Sequence, residues 1–254
     1  MVDSTISGNS VEATVEGQNA NGGGVAAPHG VAIYGSTFSG NHADGIGGGA
    51  INTFPQYQLP LPDAPRAMGL PMINSTFTGN SAALGSALAS NTGTFLSNST
   101  VASNTSQKGG AVAIFDGGTA LEEYTLYLDS TIIAGNTIDG SGGHAADLSI
   151  GPGLTLEVIG ANNLVGISDA AVALPTDTLH DDPLLLPLAD NGGPTWTMAL
   201  AFGSPALDTG ANPLDLVTDQ RGDGYVRVSG AAADIGAYEM QLVADAIFAD
   251  GFDP

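Results

Sequence analysis

Polar and apolar residues alternate in short runs along the first two thirds of this chain, and most runs end on Gly-Asn. In the clearest run Leu126, Leu128, Ser130 and Ile132 share one face, and Tyr127, Asp129, Thr131 and Ile133 the other. Period-two alternation with β-branched and aromatic residues predicts strands, not helices. Phe95, Ser97, Ser99 and Val101 keep the same phase, as do Ile73, Ser75 and Phe77. The Gly-Asn that follows is a turn signal, because Gly takes positive φ freely and Asn tolerates it.

The run is rewritten along the chain. Ser-Thr-Ile-Ser-Gly-Asn begins at Ser4, Ser-Thr-Phe-Ser-Gly-Asn at Ser36, Ser-Thr-Phe-Thr-Gly-Asn at Ser75 and Ser-Thr-Val-Ala-Ser-Asn at Ser99. Residues 129–136 read Asp-Ser-Thr-Ile-Ile-Ala-Gly-Asn. Counted from serine to serine, ending at Ser130, the intervals are 32, 39, 24 and 31 residues. A Gly-rich bend and a second apolar strand follow each copy, as in Gly47-Gly48-Gly49-Ala50-Ile51 and Gly109-Gly110-Ala111-Val112. Periods of this size belong to solenoids and propellers. With a single Trp there is no repeated aromatic blade signature, and no helical spacer separates the strands. The pattern therefore predicts an all-β fold, a parallel β-helix whose coils stack at about 4.8 Å. The general crossover rule makes it right-handed.

Stacking predicts columns of like residues. Asn9, Asn41, Asn80, Asn104 and Asn136 form an amide ladder, since stacked Asn side chains hydrogen-bond along a stack. Ser4, Ser36, Ser75, Ser99 and Ser130 stack inside, beside a core column of Ile6, Phe38, Phe77, Val101 and Ile132. Thr5, Thr37 and Thr76, with Ser7, Ser39 and Thr78, face outward as a flat hydroxyl ladder, a surface of the kind that binds ice or glycans in some solenoids.

Residues 1–165 hold the coils. Residues 53–71 interrupt them with Pro55, Pro60, Pro62, Pro65 and Pro71, a density that no sheet ladder admits, so they form an insertion loop outside the coils. Residues 166–240 lose the repeat and form a non-repetitive C-terminal cap, and 241–254 are an acidic tail. The chain enters a repeat at Met1-Val2-Asp3-Ser4 with neither a basic n-region nor an apolar h-region, which predicts that upstream coils and an export signal precede it in a longer protein.

Charge narrows the partners. Four Lys and Arg against 26 Asp and Glu give −22. Nucleic acid is disfavoured as a partner, because phosphate binding needs a basic footprint. Anionic membranes and polyanionic substrates are repelled on the same ground. No cysteine is present, so neither a disulfide nor a thiolate metal site forms. No run reaches the length of a spanning helix, so no transmembrane segment is expected.

The closing block carries its own motifs: Asn191-Gly192-Gly193-Pro194-Thr195, Gly203-Ser204-Pro205-Ala206, Asp219-Gln220-Arg221-Gly222 and Asp234-Ile235-Gly236-Ala237-Tyr238-Glu239. With the coils before them, these resemble bacterial exported β-helix proteins of the choice-of-anchor Q type. The resemblance implies a bacterial protein at the outer-membrane surface or outside the cell, whose anchor varies between members. It implies no particular reaction. The end, Ile247-Phe248-Ala249-Asp250-Gly251-Phe252-Asp253, is similar to short tails on exported bacterial proteins.

Three chemistries compete for the closing block. The preferred one is structural: Arg221, a rare cation, pairs with Asp208, Asp219, Asp234 or Glu239 and locks the cap. This outweighs reading Arg221-Gly222-Asp223 as a recognition tripeptide. The second is Ca²⁺ held by Asp219, Asp223 and Asp234, the one cofactor the sequence suggests. The third is a carbohydrate-active lyase or hydrolase, which needs paired carboxylates or a basic residue in a groove. Its candidates are His180-Asp181-Asp182 and His29-Gly30, while Arg66, Lys108, Arg221 and Arg227 are scattered. His42, Asp44 and His144 read as turn residues rather than metal ligands. The expected role is structural or adhesive, a stiff rod presenting loops to glycans or surface proteins, with the carbohydrate-active enzyme as the alternative.

Overall fold

The computed structural model describes residues 1–13, 20–27, 30–45, 47–53, 70–116, 123–140 and 143–241. Most of the proline-rich insertion, with Arg66, lies outside the described residues, as do His29, the 117–122 loop and the tail from 242 onward.

The fold is a right-handed parallel β-helix of four sheets. The first contains Thr5–Ser7, Thr37–Ser39, Thr76–Thr78, Thr100–Ala102, Ile132–Ala134 and Leu164–Val165. The second begins at Ser10–Val11 and ends at Thr137–Ile138. The third runs from Val25–Ala26 to Leu148–Ile150, and the fourth from Ile33–Tyr34 to Thr155–Ile159. Every strand pairs in parallel with its equivalent one coil away, so sequence copies become spatial neighbours.

The interior column of the first sheet is Ile6, Phe38, Phe77, Val101, Ile133 and Val165. Phe38 and Phe77 stack with ring centroids 5.2 Å apart. Ile133, not Ile132, occupies the column, a one-residue correction with a clear cause. Ser130 sits at φ 47°. It belongs to a column of left-handed corner residues, Asp3, Gly35, Asn74, Asn98, Ser130 and Asn162, one per coil. A left-handed residue breaks the alternation, so the phase inside Leu126 and Leu128 does not carry across the corner. Thr131 therefore takes the stacked-serine position. Its Oγ1 accepts from Ser99 N at 3.4 Å, as Ser36 Oγ accepts from Ser4 N and Ser75 Oγ from Ser36 N, both at 3.2 Å. Ile132 registers with Thr100 on the outer face and packs with Leu164, Leu200, Ala206 and Ile235 in a second cluster.

The amide ladder runs the length of the coils. Each Nδ2 donates to the next Oδ1 at 2.9 Å, from Asn9 to Asn41, Asn80, Asn104 and Asn136. From Asn41 to Asn136 the amides are buried, so every donor must find an acceptor. The Gly-rich bends lie where coils approach closely: a Cβ on Gly49 would lie 2.3 Å from Ser86 O.

The closing block departs from a simple end cap. Residues 166–180 add one irregular coil, bridged in parallel through Leu148–Ser168, Glu157–Ala173 and Leu164–Leu179. Residues 183–241 then turn back along the side of the rod in antiparallel excursions, bridged at Leu185–Leu200, Ala189–Thr197, Gly210–Ala233 and Thr218–Val226. They cover the outer face of the first sheet. Thr5 is exposed, but Thr37, Thr76 and Thr100 are each at most 1 % exposed. The expected open hydroxyl ladder does not exist beyond the first coil.

Candidate functional site

The chemistry-bearing residues gather where the closing segment meets the rod. Two sets of groups hold it there. The first is the left-handed corner column, whose short polar side chains face the segment. Asn162 Nδ2 donates to Thr209 O, Asn98 Nδ2 to Ala211 O and Asn74 Nδ2 to Thr218 O, at 2.9–3.1 Å. Ser130 Oγ accepts from Ala211 N at 2.6 Å. The second is the buried threonine column. Thr76 Oγ1 donates to Gln220 Oε1 at 2.6 Å, Gln220 Nε2 donates to Thr37 Oγ1 at 2.8 Å, and Thr100 Oγ1 accepts from Ala237 N at 3.0 Å.

Behind this seam lies a buried charge network. Arg221 meets Asp219 through Nε and Nη2, at 3.0 and 2.6 Å to Oδ2, a fork-shaped ion pair. Its guanidinium is sandwiched between the Tyr225 and Tyr238 rings, 3.9 Å from each centroid. Among the four carboxylates expected for Arg221, Asp219 is the ion-pair partner. Glu239 offers Arg221 its backbone carbonyl, and its carboxylate goes to Arg227 Nη2 at 3.2 Å. Asp234 accepts from Asp208 N and Met240 N, and Asp208 from Ala231 N and Ala232 N. Those two carboxylates cap backbone amides instead of pairing with the guanidinium.

Arg227 is the residue that sequence reasoning missed. It is 1 % exposed, and its Nε has no partner among the described residues. The available signal was the argument used for Arg221: a rare cation in a carboxylate-rich block must be paired. Burial lowers the pKa of Arg227, against the opposing charge of Glu239. Burial also pushes Glu239 up to about 7, against amide donors from Asp234 and Ser229. Asp234 is raised by burial as well.

The calcium set does not assemble. Asp219 is spent on Arg221, Asp234 on backbone amides, and Asp223 is exposed. No group of three or more His, Asp or Glu able to hold a metal ion occurs among the described residues. His42 bonds Asp44 at 2.8 Å and Ser81 Oγ at 2.8 Å, and His144 bonds Asp169 at 2.7 Å, whose carboxylate also accepts from Ala145 N and Ile150 N.

His180, Asp181 and Asp182 line a cavity of about 390 Å³ near the C-terminal end of the rod, together with Asp147. The cavity forms where the outer column of the first sheet shrinks through Ala102 and Ala134 to Gly166. Asp147 ends the amide ladder, its Oδ1 accepting from Asn136 Nδ2 at 2.7 Å and its Oδ2 from Ile167 N at 2.8 Å. Burial raises its pKa, and the Asn136 hydrogen bonds oppose the rise. A carboxylate suits this place because it only accepts, and the last rung offers only donors. His180 Nδ1 bonds Val165 O at 2.7 Å, and Asp182 Oδ1 accepts from Leu184 N at 2.9 Å. Asp147 and Asp182 thus serve the fold, while Asp181 stays exposed in the cavity.

Comparisons with protein-family models, curated proteins and solved structures find no match. No helix among the described residues is long and apolar enough to cross a membrane.

Proposed function

We propose that this chain is an exported bacterial β-helix protein of the choice-of-anchor Q type, with a structural or adhesive role outside the cell or at the outer-membrane surface. The observation that carries the reading is where the closing motifs spend their side chains. Thr195 Oγ1 donates to Gly35 O, Ser204 Oγ to Pro183 O, and Gln220 joins Thr37 to Thr76. Asp219 holds Arg221, and Glu239 holds Arg227. The four motifs fasten one element to another, as a mechanical part requires, and none of these groups is left free for a substrate. A hydrolase or lyase would need carboxylates or a base presented to solvent in a groove, and exposed Asp181 and Asp182 in the 390 Å³ cavity are the candidates for that alternative.

The test pairs two measurements on the purified chain. A glycan array and attachment to immobilised extracellular matrix proteins should give specific retention. Reducing-sugar and unsaturated-product assays on neutral and acidic polysaccharides should stay at background. Turnover lost in Asp181→Asn or Asp182→Asn would replace the adhesive reading with the carbohydrate-active one.

A further inference from the structure

The cavity of about 390 Å³ near the C-terminal end of the rod carries polar atoms that the fold does not use. Its apolar lining comes from Ala102 and Ala134 on the rod and from Leu185 and Met198 on the closing segment. Ala102 and Ala134 register with Ser39 and Thr78 of earlier coils, so the space opens where those larger side chains end. Three polar residues of the lining differ in chemistry. His180 Nδ1 bonds the Val165 carbonyl, which only accepts, so that nitrogen carries a proton. In the neutral ring Nε2 is then an acceptor, and it has no partner among the described residues. Asp181 is exposed, and its carboxylate has no hydrogen-bond or ionic partner among the described residues.

Ser103 is the third. It stands at the turn where the equivalent residues of other coils are Gly8, Gly40, Gly79 and Gly135, and like them it has positive φ, here 57°. A side chain at such an angle carries strain that glycine avoids. The hydroxyl that comes with the strain is exposed and makes no hydrogen bond among the described residues.

Acceptors set beside an apolar wall select a ligand rich in hydroxyl donors that also has a C–H face. An anion is repelled by Asp181 and by the net charge of −22. A plain hydrocarbon would take water from the carboxylate and give nothing back. An ammonium would answer Asp181 and leave the apolar wall unused. We propose that the cavity binds one ring of a neutral sugar from a surface glycan. Ring hydroxyls donate to Asp181 and His180 Nε2, Ser103 Oγ donates or accepts, and the C–H face lies on Leu185 and Met198. The volume is that of a small-molecule site. Asp147, the buried carboxyl of the lining, has its two oxygens engaged by Asn136 and Ile167 and is not free to protonate a glycosidic oxygen, so the cavity holds its sugar without cleaving it. This rests on the adhesive reading and deepens it, by naming the class of ligand and the place that grips it.

The probes are the methyl glycosides of glucose, galactose and mannose, titrated against the ¹⁵N-labelled chain by NMR, with glucuronate, cyclohexanol and lysine amide as controls. A single ring should bind in the millimolar range. At least one glycoside should shift the Ser103, Asp181 and Met198 amides and leave those of 217–228 unmoved. Asp181→Ala should weaken it about tenfold, the worth of one hydrogen bond to a charged group. Ser103→Gly removes the hydroxyl and the strain together, so it should weaken binding severalfold while melting no lower than the parent. No shift from any of the glycosides at concentrations on the order of 50 mM would overturn the proposal. So would equal binding of cyclohexanol or glucuronate, tighter binding of lysine amide, or unaltered affinity in both variants. Surface attachment that survives both substitutions would sink the cavity and leave the adhesive role standing. Glycoside binding by a chain that attaches to no surface would do the reverse.

Discussion

At the scale of single residues, Arg221 and Glu239 decide whether the closing segment stays shut. Arg221→Ala removes a forked ion pair and two ring contacts from a buried place. Breaking one partner of such a pair costs about 3–5 kcal/mol, because the remaining charge is stranded. The variant should melt several degrees lower, and amides of residues 219–239 should exchange faster while those of Phe77 and Val101 do not. Unchanged melting would refute the role given to the pair.

Glu239 supplies a pH dependence with a definite sign. Its pKa is raised from 4.5 to about 7, so the folded state holds a proton that the unfolded chain releases. Stability from this group is full below pH 4.5 and is lost as pH rises through 7. Exchange protection of 219–241 should therefore fall between those pH values, and Glu239→Gln should flatten the trend even if its overall protection is lower. A trend of equal slope in that variant would assign the titration elsewhere.

Residues also mark the boundary of what the sequence revealed. Asn9 to Asn136 were legible as a ladder because identical residues recur at one position of each copy. Ser130 was not, because Ser130-Thr131 repeats the Ser-Thr pair that opens the other copies but one position early, and serine fits both the stacked position and the corner. Only its positive φ tells them apart.

At the scale of elements, the amide ladder couples the coils one to the next. Asn104 receives Asn80 Nδ2 at its Oδ1 and donates to Asn136 Oδ1 and Phe77 O. Asn104→Ala takes the acceptor from two buried donors of Asn80, its backbone N and its Nδ2, at about 1–3 kcal/mol each, while Asn136 Oδ1 keeps the backbone N of residue 104. Chemical denaturation should register a loss on the order of 3 kcal/mol, with the m-value held. A loss below 0.5 kcal/mol would mean that water satisfies the ladder and that it binds the coils only weakly.

The strands were readable from alternation and register, because a solenoid turns a linear repeat into vertical columns. The course of residues 183–241 was not. They have no period, and the polar threonine column beneath them looks like a solvent face until Gln220 and Ala237 are seen to occupy it.

At the scale of the whole molecule, this is a rod with a strap. The first sheet faces two cores, the solenoid interior through Phe38, Phe77 and Ile133, and the strap through Ile132 and Leu164. A flat sheet face that would otherwise be open to other chains is thereby covered. What stays exposed for recognition is the coil edges, the outer surface of the strap and the clefts at its margins.

The chain has no native cysteine, so the position of the strap can be read by thiol labelling of single cysteine variants in the threonine column. Thr5→Cys should react with maleimide at the rate of a free thiol. Thr37→Cys, Thr76→Cys and Thr100→Cys should be protected at least a hundredfold, ~3 kcal/mol of local opening, and become reactive on unfolding. Labelling of Thr76→Cys in the folded chain as fast as Thr5→Cys would contradict the covered sheet, and with it the rod-and-strap architecture.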